Sequence, residues 1–139
     1  SLIKNEDNSE YGTSGENDTE DKVFLLSKKE AKTLFSNNEE KIAKATEYAE
    51  KSGVYVNEEK VAGWWLRSPG YASDSAAVVS SRGWVARSGR DVYYFYDGVR
   101  PTLHLNLSSP HLFSYAGTVS SDGTKNEVPY NTRTRLVQN

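Results

Sequence analysis

The sequence predicts an α+β fold, with two helices, short antiparallel strands and long loops. Three observations carry this. A helical apolar period is confined to the first part of the chain, and from Val54 onward it gives way to short runs of β-forming residues. Those runs are separated by Pro69-Gly70, Arg82-Gly83, Ser88-Gly89 and Asp97-Gly98, steps that suit hairpins.

Residues 1–21 read as an acidic loop or linker, because "NEDNSEYGTSGENDTED" is rich in Gly, Ser and Asn and offers only Tyr11 as a large apolar group. Val23 to Leu26 then predict a short buried strand. Ser27, with Glu30 three residues later, predicts a capping box that opens a helix with Ala31, Leu34 and Phe35 on its apolar stripe. Asn37 or Asn38 is expected to cap a second helix over "EEKIAKATEYAEKSG", with Ile42, Ala45, Tyr48 and Ala49 on one face and Gly53 as its stop. "WWLRS", "AAVVS", "WVARS", "DVYYFY" and "RPTLHLNL" read as strands. In the last, Leu103, Leu105 and Leu107 alternate with Thr102, His104 and Asn106, the pattern of a strand buried on one face, and Pro101 sets its start at an edge or a bulge. One domain is expected over 22–108. Residues 109–139 read as a polar tail, with Leu112, Phe113 and Tyr115 as a last packing patch.

Composition narrows the function classes. At 139 residues the chain holds one core, and 12% aromatic residues against a mean hydropathy of -0.72 imply a core built from rings. The net charge is -2: residues 1–60 carry nine Lys and fourteen acids, and residues 61–139 carry one Lys, seven Arg and five acids. No basic footprint for a phosphate backbone results, so nucleic acid is not an expected partner. Without Cys there is no disulfide framework and no thiolate nucleophile. No apolar run reaches the length of a membrane span. A start at Ser-Leu-Ile, without Met or a signal peptide, reads as a fragment or a processed product.

The residues specify no reaction. His104 sits in an alternating strand and His111 in a Ser-Pro loop, and no Gly-x-Ser-x-Gly elbow accompanies them. Two isolated His and no Cys give no metal set, and no cofactor motif is present. Asp74, Asp91, Asp97 and Asp122 stand at turns, where Asp holds the turn; a calcium site is the alternative for them. The conspicuous stretch is "RSGRDVYYFYDGVRP", with Tyr93, Tyr94, Phe95 and Tyr96 in succession. Read as a strand, it sends Tyr93 and Phe95 to one face and Tyr94 and Tyr96 to the other, so one pair is expected in the core and the other outside. Which pair faces out, the pattern leaves open.

"KVFLLSKKEA", "GWWLRSPG" and "GVRPTLHLNL", in this order and spacing, resemble a bacterial domain family known as a domain of unknown function, DUF6273, over roughly residues 19–108. That family is similar to the C-type-lectin fold shared by formylglycine-generating enzymes and the variable proteins of diversity-generating retroelements. The enzyme branch works through cysteine, which this chain lacks. The variable-protein branch diversifies adenine-rich codons that reach Tyr, Phe, Asp, Ser, Ala, Arg, Gly and Val but never Lys, Glu, Gln, Met or Trp. Between Tyr71 and Asp97 only Trp84 falls outside that reachable set.

The resemblance implies a C-type-lectin-like, non-enzymatic ligand-binding domain, a retroelement-diversified receptor or adhesin on the bacterial surface or outside the cell. Its binding face would comprise Tyr71, Asp74, Arg82, Trp84, Arg87, Arg90, Asp91, Tyr93, Tyr94, Phe95, Tyr96 and Asp97, and its ligand is expected to be a protein rather than a glycan. The alternative is a fixed accessory module of a surface or cell-wall protein. Trp64, Trp65 and Leu66 are expected in the core, and Arg67 and Arg100 are expected to anchor loops.

Overall fold

The computed structural model describes residues 1–106, 108, 117–119 and 123–127. β1 (Leu2–Ile3) pairs antiparallel with β2 (Thr19–Glu20). Next come α1 (Lys28–Thr33), a 3-10 turn at Glu39–Lys41, β3 (Ala43–Lys44) and α2 (Glu47–Lys51). β4 (Val61–Ala62) pairs with β3. β5 (Trp64–Pro69), β6 (Ser75–Val79) and β7 (Val85–Asp91) form the central antiparallel sheet in that order, and β8 (Gly117–Val119) pairs with β9 (Lys125–Glu127). The arrangement is α+β, with two helices and short antiparallel strands, as expected.

One face of the central sheet makes the core. Trp64, Leu66, Ala77 and Val79 pack with Ile3, Phe24, Leu26 and Ala31, and Phe35, Ala43 and Val85 close the edges. Burying a side chain such as Leu66 or Val79 is worth about 1.5–3 kcal/mol. The helix on this face starts as its residues dictate: the Ser27 hydroxyl accepts from the Glu30 N–H, and the Glu30 carboxylate accepts from the Ser27 N–H. Ala31 is fully buried under it, whereas Leu34 points to solvent.

Glu30 has a second task. Arg67 of β5 grips its carboxylate with both Nη1 and Nη2, and the same guanidinium donates to the Leu25 and Lys4 carbonyls. This bidentate hold, with the cap, draws the Glu30 carboxyl down to about 2 against the opposing effect of burial. Because the folded-state value lies below the unfolded one, the stabilisation is complete above pH ~4.5 and is lost as pH falls from there toward 2. After discounting for the third of the carboxylate that water reaches, acid unfolding should remove about 1–2 kcal/mol through this group. In Glu30→Gln that part of the pH dependence, read from urea midpoints between pH 5 and 2.5, should be absent.

Four local expectations give way to tertiary partners. Val23–Leu26 forms no strand: Phe24 bridges Thr102, the Leu26 carbonyl accepts from the Arg67 N–H, and Val23 lies at a bend and is exposed. The second helix is not continuous over 39–53. Trp64 Nε1 donates to the Lys41 carbonyl at 3.0 Å and the Ala45 N–H goes to the Lys60 carbonyl, so a helical bond from Ala45 to Lys41 has lost both partners. The chain restarts as α2, capped by Thr46 and followed by Gly53 at φ +101°. The leucine strand does not form among the described residues: Leu103 and Leu105 are 52% and 61% exposed, and Leu107 lies outside those residues. The outer edge of β5 is already taken by Leu26 and Gly98, leaving Thr102 to pair only with Phe24. The aromatic run, finally, is a series of turns. His111, Asp122 and the patch of Leu112, Phe113 and Tyr115 lie outside the described residues.

Candidate functional site

The site is built by a crossing. β7 is one edge of the central sheet, yet Gly98 bridges Trp64 on the outer edge of β5, its N–H bonding the Gly63 carbonyl and its carbonyl accepting from Trp65. Residues 92–97 must therefore traverse the sheet within one short loop. Aspartates pin it at both ends. Asp91 accepts from the hydroxyls of Tyr71 and Tyr93, each at 2.7 Å, while its carbonyl accepts from the Tyr94 N–H. These bonds hold the Asp91 carboxyl below its ordinary value and push the Tyr93 phenol up to about 12; Tyr71 moves up for the same reason. At the other end the Asp97 side chain is buried and pairs with Arg90 at 3.0 Å. Burial pushes the Asp97 carboxyl up, and Arg90 opposes that.

Between these pins all four rings face outward. Tyr93, Tyr94, Phe95 and Tyr96 are 43–67% exposed, so neither alternate pair is core, and the expected strand with one buried parity is replaced by an exposed loop. The rings touch in series: Tyr93 and Tyr94 lie 5.0 Å apart between centroids, Tyr94 and Tyr96 6.3 Å, and Phe95 and Tyr96 4.5 Å. Such offset contacts stiffen a patch at little entropic cost. The loop also leans on the segment after α2, where the Tyr55 N–H donates to the Tyr96 carbonyl at 2.9 Å and the Phe95 ring lies against Gly53.

The other expected site residues divide by position. Val92 N–H bonds the Asp74 carbonyl, which places Asp74 beside Tyr71 and Asp91. Arg87 pairs with Glu10 at 3.3 Å, beside the buried Asn8 of the N-terminal segment. Arg82 and Trp84 stand on the β6–β7 turn, the sheet end where Val79 faces Val85, whereas Tyr71 belongs to the end where Ser75 faces Asp91. Four residues of strand, about 13 Å, separate the two ends.

Several residues here had no strong sequence signal. Tyr55, Ser80 and Ser81 join Arg90, Tyr96 and Asp97 around a recess of about 350 Å³. Gly63 forms its back wall because a Cβ there would meet Asp97 Oδ1 at 2.2 Å. Only the Gly53-Val54-Tyr55 step, a helix stop followed by an aromatic residue, hinted at this wall.

The chemistry on offer is ring faces, hydroxyls and one ion pair of a buried Asp97 with a half-exposed Arg90. His104 packs tilted on Phe24, with centroids 4.8 Å apart, and among the described residues it joins no nucleophile or carboxylate. Among the described residues no group of three or more His, Cys, Asp or Glu is placed to hold a metal ion. Nor is any helix among them long and apolar enough to cross a membrane.

A family described as a domain of unknown function (DUF6273) matches residues 1–107. The chain belongs to that family. No curated protein and no solved structure matches it. The DUF6273 match takes in the N-terminal segment as well as the Trp-Trp-Leu-Arg-Ser-Pro-Gly and Gly-Val-Arg-Pro blocks. Packing gives that segment a reason to belong, since Asn8 Nδ2 donates to the Pro69 and Gly70 carbonyls that end the first block. Of the arginines of the two blocks, Arg67 anchors through Glu30 and carbonyls, whereas Arg100 lies against the rings of Phe35 and Trp64 with one long hydrogen bond to the Lys41 carbonyl.

Proposed function

We propose that this DUF6273 domain is a non-enzymatic binding module of C-type-lectin-like design, whose recognition face is Tyr71 with the loop from Asp91 to Asp97. One observation carries the reading: four consecutive aromatic residues are all exposed, stacked in one patch, on a loop fixed at both ends by aspartates. Contiguous apolar patches on soluble domains mark interaction surfaces, and Tyr gives large rigid contact area with a hydroxyl at its tip. The same features favour a protein partner over a glycan. The chain would act at a bacterial surface or outside the cell, with residues 71–97 diversified as in retroelement variable proteins. Exposed Leu103 and Leu105 favour a second reading, a fixed accessory module whose apolar surface packs on a neighbouring domain.

Sequencing codons 60–110 at this locus across a population of the source bacterium tests the choice. Substitutions concentrated between Tyr71 and Asp97 at adenine-rich codons, with Gly63–Gly70 and Gly98–Leu107 constant, support a diversified binder; uniform codons leave the fixed module. The double variant Tyr94→Ala with Tyr96→Ala tests the face itself. Folding stability should stay within about 1 kcal/mol of the parent, as for exposed residues, while partner binding falls about 100-fold or more. A larger loss of stability would make those rings structural.

A further inference from the structure

We propose that a second groove, which shares Gly63 with the recess, is a site for a small organic carboxylate with an apolar body, held by Arg100. The groove has a volume of about 470 Å³, and Ala49, Val54, Ala62, Trp64, Val99 and Pro101 give it an apolar lining. This is the size and character of a pocket for a small ligand.

Arg100 supplies the polar anchor. Its half-buried guanidinium lies over both the Phe35 and Trp64 rings, 5.1 and 5.0 Å from their centroids. A guanidinium carries five N–H donors. Among the described residues Arg100 makes one hydrogen bond, a long one of 3.5 Å to the Lys41 carbonyl, and no carboxylate pairs with it. No nitrogen of this side chain is both sealed from solvent and unbonded, so the unused donors reach solvent, and the residue lines the groove. Removing a cation from water without an anion is costly, and desolvation draws the Arg100 pKa downward accordingly. Contrast Arg67, which spends its fork on Glu30.

The charge around the groove points the same way. Lys44 and Lys125 also line it, and among the described residues no Asp or Glu does. The described wall thus carries three cations and no acid, although the chain as a whole has a net charge of -2. A carboxylate would take two parallel bonds from the guanidinium, and its apolar body would lie along Val54, Trp64 and Val99. A free aliphatic acid and the C-terminus of a peptide ending in an apolar residue share this chemistry.

The test is a titration of ¹⁵N-labelled protein, followed at the Trp64 indole N–H and the Gly98 and Val99 amides. Octanoate and octanamide form one pair of probes, and acetyl-alanyl-leucine with a free or an amidated C-terminus forms the other. At least one acid is expected to shift these signals and bind about tenfold or more tightly than its amide, the margin of charge-assisted hydrogen bonds. The tighter of the two acids identifies the source, free acid or peptide C-terminus. Arg100→Gln should erase that margin. Lys44→Glu with Lys125→Glu, which leaves the two rings in place, should weaken the acid several-fold without touching the amide. The proposal is overturned if neither acid moves the Trp64 indole signal, if amides bind as well as acids, or if both variants bind the acid like the parent.

Discussion

Arg67→Ala is expected to destabilise the fold by about 3–4 kcal/mol, the range for breaking a largely buried ion pair from one side. For a domain of this size the loss lowers the melting temperature by about 10 °C or more. The side chain is only 13% exposed and joins three separate parts of the chain: Glu30 at the start of α1, the Leu25 carbonyl before it, and the Lys4 carbonyl in the N-terminal segment. Alanine leaves the Glu30 carboxylate without its cation and two carbonyls without a donor. Arg67→Lys separates the effects, since it keeps the charge but cannot span carboxylate and carbonyls together, and it should recover less than half of the loss. A melting temperature for Arg67→Ala within 2–3 °C of the parent, about 1 kcal/mol, would mean that water replaces the fork at little cost.

Gly89→Ala should cost about 3 kcal/mol and, unlike Arg67→Ala, should also dismantle the aromatic face. Gly89 has φ +71°, and an added Cβ would sit 2.1 Å from the Ala76 carbonyl oxygen of the central strand β6, where neither side can give way. The register explains why glycine is needed. Ala76 faces Arg90 and Val78 faces Ala86, so one intervening residue on β6 is matched by three on β7. That bulge turns Arg90 toward Asp97 and Asp91 toward the hydroxyls of Tyr71 and Tyr93. An ultraviolet titration reads the second effect separately. In the parent the Tyr93 phenol is pushed up to about 12 because it donates a hydrogen bond to the Asp91 carboxylate, whose charge opposes the phenolate. In Gly89→Ala it should return toward about 10, the value of a free tyrosine. Unchanged ionisation together with lowered stability would separate the bulge from the placement of Asp91.

What the sequence made legible was local. The capping box at Ser27 and Glu30 needs only three residues of spacing, and the stop at Gly53 needs one positive φ, so both were readable. The break in the second helix was not, because it depends on an indole 23 positions away taking the Lys41 carbonyl. Alternation misled at Leu103 and Leu105, since a period of two reports a strand only where a partner edge is free. The same holds at the aromatic run: alternation offered two faces, whereas the chain turns there to reach Gly98 and spends its rings on neither. Tyr71, Asp91 and Tyr93, named from the sequence, are brought together by two hydrogen bonds. Tyr55, Ser80 and Ser81 meet the loop only through the sheet's closure, which no short motif encodes.

The ties of the N-terminal segment also set an order of assembly. Asn8 bonds the Pro69 carbonyl across 61 residues of chain, and Arg67 reaches back 63 residues to Lys4. During synthesis β1 and β2 can pair early, but the segment's ties to Pro69 and Arg67 must wait until β5 has been made. Closing such distant contacts is slow compared with forming local turns. The ties of the N-terminal segment thus work as a clasp, one that can close only after the strand it secures has been made.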